Sequence, residues 1–91
     1  MLYMVIEHFK DHQAAPVYRR FREQGRMMPE GLKYIESWTA TNFECCYQLM
    51  ECDDPRLFEQ WTAHWKDLID FEIVPVVSSK EAAEAMAQRL S

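Results

Sequence analysis

A chain of 91 residues fits one domain and leaves no room for a second. Its formal charge is −5, from 15 acidic against 10 basic side chains, which argues against a nucleic-acid partner because phosphate contacts need a concentrated basic face. Hydrophobic residues make up 48% of the chain and aromatics 13%, while a domain this small buries only roughly 60–65% of its unfolded surface. A partner surface is one way to cover the excess.

Residues 2–9 (LYMVIEHF) form the first predicted strand, rich in β-branched and aromatic side chains. The apolar run meets Glu7 at once, so neither a signal peptide nor a membrane span is expected. Pro16 suits the first turn of a helix, and Val17, Tyr18, Phe21, Gly25 and Met28 continue at helical spacing until Pro29-Glu30-Gly31 stops it. Arg19, Arg20, Arg22 and Arg26 on this segment read more simply as a solvated helix face than as an anion site.

Strands are expected at 32–39 (LKYIESWT) and 44–52 (ECCYQLMEC), close enough to form a hairpin. Asp54 and Pro55 then start a second helix, whose stripe is Leu57, Phe58, Trp61, Trp65, Leu68 and Ile69. The fourth strand is 71–77 (FEIVPVV), and Pro75 places it at a sheet edge because proline donates nothing to a ladder. Ser78 and Glu81 make a capping box for a third helix at about 79–90, with Ala82, Ala83, Met86 and Leu90 on its apolar side.

The order βαββαβ plus a terminal helix defines an α+β, ferredoxin-like domain over 1–91, with its core in 1–77. Both helices then cover one face of a four-stranded antiparallel sheet, and the other face should alternate with polar residues. It does not: Leu2, Met4 and Ile6 oppose Tyr3, Val5 and Phe9, and Cys45, Tyr47 and Leu49 oppose Cys46, Gln48 and Met50. Two apolar faces predict a homodimer in which two sheets pack as an α/β barrel. The three cysteines are odd in number and two are adjacent, so no disulfide framework is expected and a reducing cytoplasm fits.

The stretches MLYMVIEHFK, VYRRFREQGRMMPEGLKYIESW, CYQLMECDDPRLFEQW and FEIVPV together resemble the small bacterial family of domains of unknown function numbered 3303. The likeness spans roughly residues 1–77 and leaves the Ala-rich last helix outside it. It implies a ferredoxin-like α/β barrel and a cytoplasmic bacterial protein. It implies no activity and carries over no catalytic residue. Other α/β-barrel families include enzymes and small-molecule binders, which is analogy at the level of the fold alone.

Five polar side chains in apolar strands draw the functional reading. His8 shares a strand face with Met4 and Ile6 and is a candidate general base, although a hydrogen-bonded histidine at a strand end is the plainer reading. Gln48, central in CCYQLM, needs partners for its amide if buried; orienting a ligand and bonding a neighbour stand level. Glu7, Glu36 and Glu51 each interrupt an apolar strand and must reach solvent, pair or take up a proton; rim ion pairs across a dimer are the simpler use. A turn with Ala40 opposite Phe43 sets Glu36 against Tyr47 and Trp38 against Cys45, and a one-residue shift sets Glu36 against Cys46.

Tyr34, Trp38, Tyr47, Trp61 and Trp65 can line a pocket between sheet and helices, though Trp61 and Trp65, one turn apart, suit core packing better. No histidine or cysteine pair has metal-ligand spacing on one element, and no phosphate loop or nucleophile motif is present, so no metal and no cofactor is expected. The leading expectation is a homodimer holding a small, partly apolar molecule in an aromatic-lined cleft, with His8, Gln48, Glu36, Trp38, Tyr34 and Trp65 as candidates around it. The alternatives are a cofactor-free isomerase or monooxygenase with His8 as base and Gln48 or Tyr34 orienting an oxyanion, and a purely structural or protein-interaction domain.

Overall fold

The computed structural model describes residues 1–90. Four strands and three α-helices follow one another among the described residues: β1 (Leu2–Phe9), α1 (Ala15–Gln24), β2 (Lys33–Thr39), β3 (Cys45–Glu51), α2 (Leu57–Thr62), β4 (Ile69–Val76) and α3 (Ser79–Leu90). The four strands make one antiparallel sheet in the order β2-β3-β1-β4, which is the predicted α+β, ferredoxin-like arrangement. Pro75 lies in β4, at the sheet edge, as its missing donor requires.

The helices are shorter than their apolar spacing suggests. α1 ends at Gln24 because Gly25 takes φ 71° and ψ −163°, a conformation that L-residues avoid, while its N–H caps the Phe21 carbonyl. Residues 25–28 therefore leave the helix instead of extending it to Met28. α2 stops at Thr62, and the turns that follow bring Trp65 N–H to the Thr62 carbonyl and Leu68 N–H to the Trp65 carbonyl. Ile69, expected on the helical stripe, is already the first residue of β4. The Asp54 carboxylate accepts the Arg56 N–H at 3.0 Å, and Ser78 Oγ accepts the Glu81 N–H at 3.1 Å at the start of α3.

The β2–β3 hairpin departs from both predicted registers. Asn42 Oδ1 accepts the Glu44 N–H, Phe43 sits at φ 59°, and the loop is two residues longer than the tight turn assumed. Trp38 consequently faces Tyr47, and Ser37 faces Gln48. A bulge at Ile35 sets Tyr34 against Met50 but Glu36 against Leu49. The bulge turns Tyr34 and Glu36, which strict alternation would keep together, to opposite faces of the sheet.

The core lies between the sheet and α1, α2 and their connections. Trp61, Met50, Ile69 and Val5 are its largest fully buried side chains, each contributing about 1.5–3 kcal/mol by burial. Phe58 packs edge-on to Tyr3 with ring centroids 5.0 Å apart, and Trp61 lies 5.3 Å from Phe71. The helix-free face carries Leu2, Met4 and Ile6 beside Tyr47, Leu49, Val74 and Val76. Within the single chain, Trp38 on this face is 55% exposed. α3 has no buried residue at all, and the chain measures 51 Å along its longest axis.

Candidate functional site

Alternation along β1 and β3 sends Tyr3, Val5, Glu7 and Phe9, with Cys46, Gln48 and Met50, toward the helices. Near the Phe9 end these side chains do not meet the helices closely. A half-open cavity of about 130 Å³ remains under α1, floored by Glu7, Cys46 and Gln48 and walled by Val17, Tyr18, Phe21, Trp61, Trp65 and Ile69. Phe9, Ser37, Thr39 and Arg26 complete it. An apolar cavity of about 150 Å³ accommodates benzene, so this volume suits a molecule of similar size.

Two indoles fix one side of the cavity. Trp61 Nε1 and Trp65 Nε1 both donate to the Arg26 carbonyl at 3.0 Å, filling its two lone pairs and pinning the irregular stretch after α1 onto the α2 segment. The Arg26 guanidinium lies 3.7 Å from the centroid of Tyr34 and 4.9 Å from that of Phe21. Tyr34 in turn shares a hydrogen bond of 2.6 Å with Ser37, and Tyr18 one of 2.7 Å with Thr39. Aromatic faces thus hold a cation at the cavity, and no carboxylate among the described residues forms an ion pair with it.

Glu7 is buried, with 6% of its surface exposed. Burial pushes its carboxyl up to about 7, against the opposing pull of hydrogen bonds from Gln48 and Cys46 and of the Arg26 charge. Near neutrality Glu7 is therefore divided between acid and carboxylate. The Cys46 thiol is pushed up to about 11, first by burial and then by the charge of Glu7, so it stays protonated and is no nucleophile. Gln48 is also buried, and its Oε1 has no hydrogen-bond partner among the described residues. An unpaired buried acceptor costs about 1–3 kcal/mol, which a donor placed in the cavity recovers.

Of the residues expected around a cleft, the structure brings Gln48 and Trp65 to this one. Tyr34 stands one layer behind, under Arg26. Glu36 and Trp38, set against Leu49 and Tyr47, lie on the helix-free face because the bulge at Ile35 turns the strand over after Tyr34. His8 also points to that face; its Nε2 lies 3.5 Å from Glu72 Oε1 and its side chain is half exposed, so it does not reach the cavity. The arginines in and after α1 divide as well. Arg20 clamps the Asp67 carboxylate with two bonds of 2.7 Å and the His64 carbonyl with one of 2.8 Å, whereas Arg26 leaves the helix for the cavity. Parity in LYMVIEHF already groups Glu7 with Tyr3, Val5 and Phe9; no local signal marks Arg26. Among the described residues no group of three or more His, Cys, Asp or Glu side chains could hold a metal ion, and no helix is long and apolar enough to cross a membrane.

Fold and cavity together define a ferredoxin-like α+β domain with a small cleft between its sheet and helices, in which a carboxyl, an amide and a guanidinium converge on an aromatic wall. The chain belongs to the family described as Domain of unknown function (DUF3303), whose model matches residues 1–90. The match takes in α3, beyond the stretch over which the resemblance runs in the sequence. No curated protein and no solved structure matches the chain.

Proposed function

We propose that this protein is a homodimer that binds a small, partly apolar molecule in the cleft between sheet and helices. The observation that carries the binding reading is Gln48 Oε1, a buried acceptor without a partner, at the cavity that Glu7 and Arg26 also line. Packed cores rarely leave such an atom unpaired, and a ligand donor is the simplest group to pair it. Phe21, Tyr18, Trp61 and Trp65 offer the apolar wall. The ligand is then of about benzene size, with a donor for Gln48 and an electron-rich or anionic atom for Arg26.

Pairing with a second copy is supported by two surfaces that the single chain leaves open. Four strands about 4.8 Å apart and eight residues at about 3.3 Å each give the helix-free face a footprint of about 500 Å². A standard interface buries about 800 Å² per partner, and α3 can supply the remainder. A 12-residue helix with no buried residue is marginal by itself in water, and a partner's surface would hold it in place.

Phenol and benzoate, each built on a benzene ring, test the binding reading by quenching of Trp61 and Trp65 fluorescence. Saturable binding is expected, weakened about tenfold for phenol by Gln48→Leu and for benzoate by Arg26→Gln; the loss of one hydrogen bond or charged contact is worth about 1.4 kcal/mol. Absence of saturable quenching by both overturns it. Light scattering after gel filtration should give the dimer mass, and Tyr47→Lys on the helix-free face should give the monomer. A monomeric wild-type chain at micromolar concentration refutes the pairing.

A further inference from the structure

Resting on the binding reading above, the geometry points to a cofactor-independent keto–enol isomerisation site for small carbonyl compounds bearing an acidic C–H, in which Glu7 carries the proton, Arg26 faces the enolate oxygen and Gln48 receives the enol O–H. The step balances within the cavity. The Glu7 carboxylate takes the proton from the carbon next to the carbonyl, and the C–H electron pair becomes the C=C bond. The carbonyl π pair moves to oxygen, leaving an enolate and a neutral Glu7. The proton then returns to the enolate oxygen, giving the enol, or to carbon, giving the ketone. No oxidant, reductant or co-reactant is consumed.

Each part is served by a group already in place. A general base must have its proton-accepting atom at the bound molecule, and Glu7 lies on the cavity floor opposite Cys46 of β3 and diagonal to Gln48, with Phe71 of β4 on its other side. The Gln48 amide beside Glu7 pulls its carboxyl down, while Gln48 Oε1, without a partner, can accept from an enol, a tautomer that offers a donor the ketone lacks. Arg26 is a cation whose field reaches Glu7, and a fixed cation at a developing oxyanion lowers the barrier to enolisation.

The groups around Glu7 leave it as the proton carrier. Arg26 is the charged group from the α1–β2 connection, Tyr18 the titratable one from α1 and Cys46 the one from β3; α2 and its following turn present only the two indoles, and β4 presents Phe71 and Ile69. Cys46 holds its proton to about 11, whereas Glu7, at about 7, exchanges its proton at neutral pH. Catalytic groups work best with that match to the ambient pH. His8, half exposed on the other face of the sheet, is outside the reaction.

Pentane-2,4-dione, which has seven heavy atoms and an acidic central CH₂, is the probe. Its enol absorbance is followed as the keto–enol mixture relaxes after dilution into buffer, alongside phenol binding by tryptophan fluorescence. Wild-type protein should speed relaxation in proportion to its concentration, with a rate rising through about pH 7 as Glu7 ionises. Glu7→Gln should lose about 100-fold or more of the acceleration measured at saturating pentane-2,4-dione, the usual contribution of a general base. Phenol binding without acceleration, or a Glu7→Gln chain as fast as wild type, overturns the isomerisation while leaving the binding reading intact. Failure of phenol and benzoate to bind overturns both. Should Glu7→Gln not fold, the wild-type profile decides: a rate with no inflection near pH 7 overturns the proposal.

Discussion

Replacing Glu7 by glutamine removes a buried ionisable group and keeps its shape, and the structure fixes how stability must respond to pH. The carboxyl titrates at 4.5 in the unfolded chain and at about 7 in the fold, where burial disfavours its charge. A raised acid pKa means that, between those two values, the folded state keeps a proton the unfolded state has lost. Stability is therefore greatest below about pH 4.5 as far as this group is concerned, and is lost as pH rises through 7. The separation of about 2.5 pH units, at 1.36 kcal/mol each, amounts to about 3 kcal/mol above pH 7. Against a total of about 5–15 kcal/mol for a small domain, that is a large share.

Glu7→Gln lacks this term at every pH. A lost or rearranged hydrogen bond with Gln48 adds a pH-independent offset of about 1 kcal/mol. Urea unfolding followed by tryptophan fluorescence, at one fixed protein concentration because any self-association would couple to folding, gives ΔG for both chains from pH 4.5 to 8. Subtracting one curve from the other cancels every other titrating group. The variant should gain about 3 kcal/mol on wild type across that range. A difference that stays flat refutes the claim that Glu7 is buried with its charge poorly compensated, and the cavity chemistry built on it falls too.

Three further outcomes follow from individual contacts. Gly25→Ala meets no atom within 4 Å of the new Cβ, so its cost is backbone strain alone, about 1–3 kcal/mol by urea unfolding; an unchanged midpoint contradicts the capping role given to Gly25. Trp65→Phe removes one of the two donors on the Arg26 carbonyl and should cost about 1 kcal/mol of stability while weakening benzoate binding through a looser Arg26; equal affinity in the two chains would sever that link. Asp67 is held down to about 2 by Arg20, so this pair adds stability above about pH 3.8 that fades as pH falls toward 2, and Asp67→Asn should flatten the acid limb of the unfolding curve in that window.

The strands and their order were readable because alternation and turn residues are local. Pro75 announces an edge, Ser78 and Glu81 announce α3, and the alternation of LYMVIEHF by itself assigns Glu7 its face. The cavity was legible only in part because three of its determinants are not local. Gly25 takes Arg26 out of the helix, two indoles 35 and 39 residues further along seize its carbonyl, and nothing in the run of arginines distinguishes the one that moves inward. The bulge at Ile35 inverts the parity of everything after Tyr34 in β2, which carries Glu36 and Trp38 away from the cleft and brings Ser37 and Thr39 into it.

That inversion also shapes the two faces. Had β2 run without a bulge, Glu36 would point toward the helices alongside Tyr34, adding a second carboxyl to the side that already holds Glu7. Two carboxylates near one site push one another toward the neutral form, and Arg26 would be shared between them. The bulge instead leaves Glu7 as the cavity's single carboxyl, with the guanidinium free of any carboxylate ion pair among the described residues, while the hairpin loop sets Trp38 opposite Tyr47 on the helix-free face. One extra residue in one strand thus separates a face that can offer a charge-poised cleft from a face whose aromatic pair can meet a second copy.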